Sequence, residues 1–142
     1  MNRTPFHLHD KKILVTGASS GIGRQVCITA SEMGAEIILT GRNKVELEKT
    51  HAQLTGKKPQ ITSADLLLQN ERENLAAEIP TIYGIVNCAG IVQPLPVKFL
   101  DQTKIDETMH VNYEAPVLLI AALLKTKKIN PNASLVFLTS IS

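Results

Sequence analysis

Apolar residues in this chain fall into two patterns. Short unbroken blocks occur at Ile13–Val15, Ile37–Leu39, Tyr83–Val86 and Leu135–Leu138. Between them lie longer stretches in which apolar residues recur every three or four positions. A short block without alternation is the mark of a strand covered by helices on both faces, and the wider spacing is that of an amphipathic helix. The pattern predicts strands at about Lys11–Thr16, Glu36–Thr40, Gln60–Ser63, Tyr83–Gly90 and Ser134–Thr139.

A helix after the first strand would set Ile22, Val26, Ala30 and Met33 on one face, packed on the sheet, with Gly34 as its stop. A second would start at an Asn43 cap, with Glu46 at its third position, and run to about Leu54. A third would cover Gln69–Ile79 ahead of Pro80, and a long fourth would run from Asp101 or Thr103 past Leu124. Residues 1–10 read as a leading tail. Strands alternating with helices specify an α/β fold, a doubly wound parallel sheet of Rossmann type. With the glycine-rich turn on the first strand, the expected order is 3-2-1-4-5. Residues 1–142 then form one domain, with no repeat or linker.

Composition narrows the function. A net charge of +2 is too small to argue for nucleic acid or an anionic membrane, and 44% hydrophobic content suits a packed core. Val117–Leu124, the longest strongly apolar run, is too short to span a bilayer. Met1–Asp10 is polar and interrupted by Pro5, unlike a signal peptide, so a cytoplasmic protein is expected. Cys27 and Cys88 read as reduced, buried thiols, and the four histidines have no ligand spacing, so no metal is expected.

The chemistry begins at Ile13–Gly23, ILVTGASSGIG, where an apolar strand enters a turn with Gly17, Gly21 and Gly23 and a helix follows. Glycines there permit a tight exit and remove Cβ atoms where a pyrophosphate and a neighbouring strand come close. Free N–H groups at the helix start can face an anion. No Lys-Ser or Lys-Thr pair follows the glycines, which excludes a P-loop.

The spacing T-G-x-x-x-G-x-G resembles the cofactor loop of the short-chain dehydrogenase/reductase family, and four later positions extend the resemblance from Lys11 onward. Asp65, after the third strand, matches the family's acid near the adenine, with Leu66 beside it. Asn87-Cys88-Ala89-Gly90 is similar to the family's Asn-Asn-Ala-Gly, with cysteine as a departure. Asn112 matches the helix asparagine of the catalytic set and Ser140 the catalytic serine. The resemblance thus implies a cofactor site at Gly17, Ser19, Ser20, Gly21, Ile22, Gly23, Arg42, Asp65, Leu66, Asn87, Ala89 and Gly90. From the residues alone, Asp65 could equally be a turn cap, and Asn87 could simply tie strand backbones together.

Cofactor choice is read at the end of the second strand. An acid there would bind a ribose 2′-hydroxyl, but the chain has Thr40-Gly41-Arg42, and a guanidinium pairs with phosphate. NADP(H) is expected over NAD(H). Pro116 lacks the N–H that would bond the Asn112 carbonyl, so a helix kink and a water on that carbonyl are expected.

The family's proton donor is a tyrosine in Tyr-x-x-x-Lys, expected about a dozen residues past the serine. Neither Tyr83 nor Tyr113 has a lysine four positions on. The resemblance therefore implies the N-terminal part of a carbonyl reductase or alcohol dehydrogenase of about 230 to 270 residues, truncated after the fifth strand and not catalytically competent alone. General resemblance to oxoacyl carrier-protein reductases suggests 3-oxoacyl thioesters among small carbonyl or alcohol substrates. A non-catalytic NADP(H)-binding or sensor protein is the alternative. The apolar helix after Asn112 implies a homo-oligomer, dimer or tetramer.

Overall fold

The computed structural model describes residues 6–57 and 59–140. Five strands, β1 (Lys12–Thr16), β2 (Glu36–Leu39), β3 (Gln60–Ile61), β4 (Ile82–Asn87) and β5 (Ile129–Phe137), form one parallel sheet in the order β3-β2-β1-β4-β5. Helices α1 (Gly21–Glu32), α2 (Lys44–His51), α3 (Gln69–Glu78), α4 (Gln102–Met109) and α5 (Ala115–Lys125) connect them. The order is the expected one for a Rossmann-type sheet.

Alternating residues of the strands feed two separate cores. On β1 and β2, Ile13, Val15, Ile37 and Leu39 pack with Cys27, Ala30 and Leu47 of α1 and α2. Leu14, Ile38 and Ile85 point to the other face and meet Leu75, Leu119 and Leu123 of α3 and α5. This is the two-residue period of a strand working on a sheet covered twice, which explains the unbroken apolar blocks.

Several expectations are corrected. The buried face of α1 is Gly23, Cys27, Ala30 and Ser31, whereas Ile22 is 63% exposed. Small residues let α1 lie close on the sheet, and the face lies one position round from the row of bulky residues. The leading segment is no free tail from Leu8 onward: the Leu8 N–H donates to the Met33 carbonyl, and Leu8 packs against the core. Residues 1–5 lie outside the described residues. Helix α2 stops at His51, three residues short of Leu54. Asn43 does cap it, its Oδ1 accepting from the Glu46 N–H at 3.1 Å.

The long fourth helix is two helices joined by a π turn over His110–Glu114, in which the Ala115 N–H reaches back to the His110 carbonyl. That five-residue step sits where Pro116 breaks the ordinary ladder. Strand β5 starts at Ile129, before the expected Ser134. Ile129 pairs with Ile82 and Ser134 with Gly84, so Asn130–Ala133 bulges out of register. Asn130 supports the bulge by accepting the Asn132 N–H at 2.9 Å. No helix among the described residues is long and apolar enough to cross a membrane.

Candidate functional site

A cleft of about 380 Å³ opens at the carboxyl ends of β1, β2 and β4. The strand order turns outward from β1 to β2 on one side and to β4 on the other, which leaves a crevice at this point of a doubly wound sheet. Four loops line it: the glycine turn after β1, Gly41–Arg42 after β2, Ala64–Leu67 after β3, and Cys88–Ile91 after β4.

The turn can form only with glycine at two of its positions. Gly17 has φ +62°, and a Cβ there would stand 2.7 Å from the Ala89 nitrogen. A Cβ on Gly23 would stand 2.1 Å from the Gly17 carbonyl oxygen. The first turn of α1 is thereby drawn against its own loop, with the N–H groups of its N-terminus left unpaired by the helix.

Every residue expected to hold a cofactor, from Gly17 to Gly90, lines this cleft. Arg42 and Asp65 are its only charged side chains among the described residues, and Arg42 has no ion pair among them. Asp65 makes the turn contact that was its alternative reading, accepting the Leu67 N–H at 3.0 Å. Helix α3 fixes the same loop from behind. The Glu71 carboxylate accepts the Asp65 N–H, and the buried Arg72 donates to the Leu66 carbonyl at 2.6 Å.

Asn87 ties β4 to β5 as its residue type suggested, donating from Nδ2 to the Val136 carbonyl at 3.2 Å. Its Oδ1 is buried without a protein partner. Cys88 follows it with the thiol pKa pushed up by burial, and both cysteines are free thiols.

Asn112 lies in the π turn and does not itself line the cleft. Its carboxamide holds Ile91, which does. Val111, Ala115 and Pro116 complete the wall on that side. Ser140 is exposed three residues past the end of β5, the strand beside β4. Asn112 thus reaches the cleft wall through Ile91, in the loop after β4, and Ser140 follows the neighbouring strand β5.

Three contributors were missed in the sequence. Thr16, the threonine of the T-G motif itself, is buried and accepts the N–H groups of Cys88 and Ala89, each at 3.2 Å. Its place directly before Gly17 was the available signal. Arg24 and Thr50 hold the back of the glycine turn from 26 positions apart, and no local pattern joins them.

Comparison with known proteins agrees with this geometry. The short chain dehydrogenase family profile matches residues 11–142. The chain is 34% identical to the uncharacterized oxidoreductase YciK of Escherichia coli K12, over 94% of this chain and 57% of that protein. It is 34% identical to the L-xylulose reductase of Caenorhabditis elegans, over 80% of this chain and 47% of that protein. The chain therefore spans about half the length of these relatives. A short chain dehydrogenase from Escherichia coli CFT073, solved in complex with NADPH, superposes with a TM-score of 0.84 at 35% identity, covering 94% of this chain and 60% of that one. The glycine turn, the cleft it builds and these matches together place the chain in the short-chain dehydrogenase/reductase family of oxidoreductases.

Proposed function

We propose that the cleft holds NADP(H) in preference to NAD(H), and that the chain is the cofactor-holding part of an oxidoreductase acting on a small carbonyl or alcohol. The observation that carries this reading is the placement of Arg42, without an ion pair among the described residues, at a cleft built on glycine-rich backbone, in a loop with no acid. A 2′-phosphate would pair with that guanidinium, and an acid at the same place would repel it. The likeness to a relative solved with NADPH supports the choice.

In this reading Gly17, Gly21, Ile22 and Gly23 hold the diphosphate by backbone N–H groups where no Cβ intrudes, and Ser19 and Ser20 face the adenosine ribose. Asp65 and Leu66 border the adenine, and Asn87, Ala89 and Gly90 border the nicotinamide half. The cofactor supplies the hydride when bound. Ser140 hydrogen-bonds the substrate oxygen. Asn112 acts through the break at Pro116, where the helix ladder shifts to a five-residue step and frees a carbonyl for a water. Among carbonyl substrates, 3-oxoacyl thioesters are our choice, in a cytoplasmic homo-oligomer of the complete enzyme.

One observation favours a second reading for the chain on its own. Tyr83 is followed four positions later by Asn87 and Tyr113 by Val117, so neither tyrosine has the lysine partner of a proton donor. A chain that binds NADP(H) without turning it over would fit. Titration of the purified chain with NADPH and NADH, followed by nucleotide fluorescence, tests the cofactor assignment. Saturable NADPH binding that weakens in Arg42→Glu supports it, and a preference for NADH sinks it. Adding a 3-oxoacyl thioester to the NADPH complex and following nucleotide oxidation separates the enzyme from the holder.

A further inference from the structure

Arg24 follows the glycine turn directly, yet its guanidinium turns away from the cleft and joins three groups. It donates from Nη2 to the Ser19 carbonyl and to Glu46 Oε2, the latter at 2.9 Å, and from Nε to the Thr50 hydroxyl at 3.0 Å. Thr50 is fully buried on α2, and its hydroxyl in turn donates to the Ala18 carbonyl at 2.8 Å. Two consecutive carbonyls of the cofactor loop are therefore held on the α2 side, Ala18 by Thr50 of α2 and Ser19 by Arg24 of α1, itself held by Glu46 and Thr50. In a planar trans peptide the N–H points opposite to the C=O. Fastening the Ala18 and Ser19 carbonyls on the α2 side thus fixes the Ser19 and Ser20 N–H groups away from it.

The same α2 begins at Asn43, the residue after Arg42, and Asn43 caps the N–H of Glu46, whose carboxylate holds Arg24. A closed circuit runs from Arg42 through the α2 cap to Arg24 and back to Ser19. Across it, a Cβ on Gly41 would stand 3.7 Å from the Ser19 hydroxyl, so the serine and arginine loops adjoin. The two arginines are thereby divided in role: Glu46 neutralises Arg24, and Arg42 has no such partner among the described residues.

We propose that Arg24, with Glu46 and Thr50, is a positioning residue for the end of the cleft that takes a ribose 2′-phosphate. It holds Ser19 and Ser20 in register with Arg42, so that backbone, hydroxyl and guanidinium donors meet one phosphate monoester. This rests on the NADP(H) reading above. Arg24 does not touch the ligand, and its loss is felt most by nucleotides that carry the phosphate.

The test is the ratio of NADPH to NADH dissociation constants, by fluorescence titration, in wild type, Arg24→Met, Arg24→Lys, Thr50→Val and Glu46→Ala. Arg24→Met is expected to lower the discrimination by about tenfold through weaker NADPH binding, with partial recovery in Arg24→Lys. Thr50→Val, which leaves every charge in place, is expected to lower it by about threefold. Glu46→Ala decides between geometry and charge. It leaves Arg24 as an unneutralised cation, so a purely electrostatic role would tighten NADPH binding, while a positioning role weakens it. Its side chain is 33% exposed, against 27% for Arg24, so Glu46→Ala and Thr50→Val supply independent readouts should Arg24→Met fail to fold. Equal weakening of both nucleotides, or tighter NADPH binding in Glu46→Ala, overturns the proposal. A wild type that binds neither nucleotide, or prefers NADH, overturns the parent reading instead.

Discussion

The Asn112 carboxamide spends both of its polar atoms on Ile91. Nδ2 donates to the Ile91 carbonyl and Oδ1 accepts the Ile91 N–H, each at 2.8 Å. Asn112 stands in the π turn between α4 and α5, and Ile91 in the cleft wall after β4. The contact works like one rung of a ladder, made by a side chain instead of a strand. It fixes the distance between the helix break and the loop.

Removing it gives the first prediction. Asn112→Ala should speed amide hydrogen exchange at Ile91 by at least about tenfold, since local opening no longer breaks two hydrogen bonds. Global stability should fall by only about 1–2 kcal/mol, because both groups can turn to water. Unchanged exchange at Ile91 would show that the loop is held by something else.

The glycine turn should be far less tolerant. A Cβ on Gly23 would overlap the Gly17 carbonyl, which is backbone and is itself held in a positive-φ turn. Gly23→Ala should cost more than about 3 kcal/mol, read from its urea midpoint against wild type. A midpoint within experimental spread of wild type would mean that the turn has room it does not show.

Cys27 is fully buried, and its thiol is pushed up to about 12 by burial first and by the neighbouring Cys88 second. In the unfolded chain an ordinary thiol ionises at about pH 8.5. The folded state thus holds the proton more tightly, so this contribution to stability is complete below the unfolded value. It is lost as pH rises from there toward about 12. Native chain should leave Cys27 unlabelled by a thiol-specific disulfide reagent at pH about 8, with full labelling in urea. Alkaline unfolding should come at higher pH in Cys27→Ser if the chain otherwise folds.

Among the described residues β5 is the sheet's outer edge next to β4, and Leu135, Val136, Phe137 and Leu138 are each between 41% and 46% exposed. No charged residue lies between Ile129 and Ser140 to discourage pairing with another edge. The apparent mass of the purified chain should therefore rise with concentration in sedimentation, and Leu135→Lys should flatten that rise. A constant monomer mass in wild type would contradict it.

The sequence carried the sheet order and most of the cleft because both rest on local signals. Unbroken apolar blocks mark doubly covered strands, and three glycines at fixed spacing mark a loop that brings backbone close to backbone. Asn43 and Pro116 were legible for the same reason, since a cap and a missing N–H act within one helical turn. The buried face of α1 was misread because closeness to the sheet favoured its small residues, a choice that depends on what lies opposite.

Pairings between distant segments belong to the fold alone. Arg24 with Thr50, Asn112 with Ile91 and Thr16 with the Cys88 and Ala89 N–H groups are each set by how helices, strands and loops far apart in the chain meet at one edge of the sheet. A polar side chain carries no mark of which far-off carbonyl it will reach. The residues fixed what each loop can be, and only the packing of four loops at one carboxyl edge decided what they hold in common.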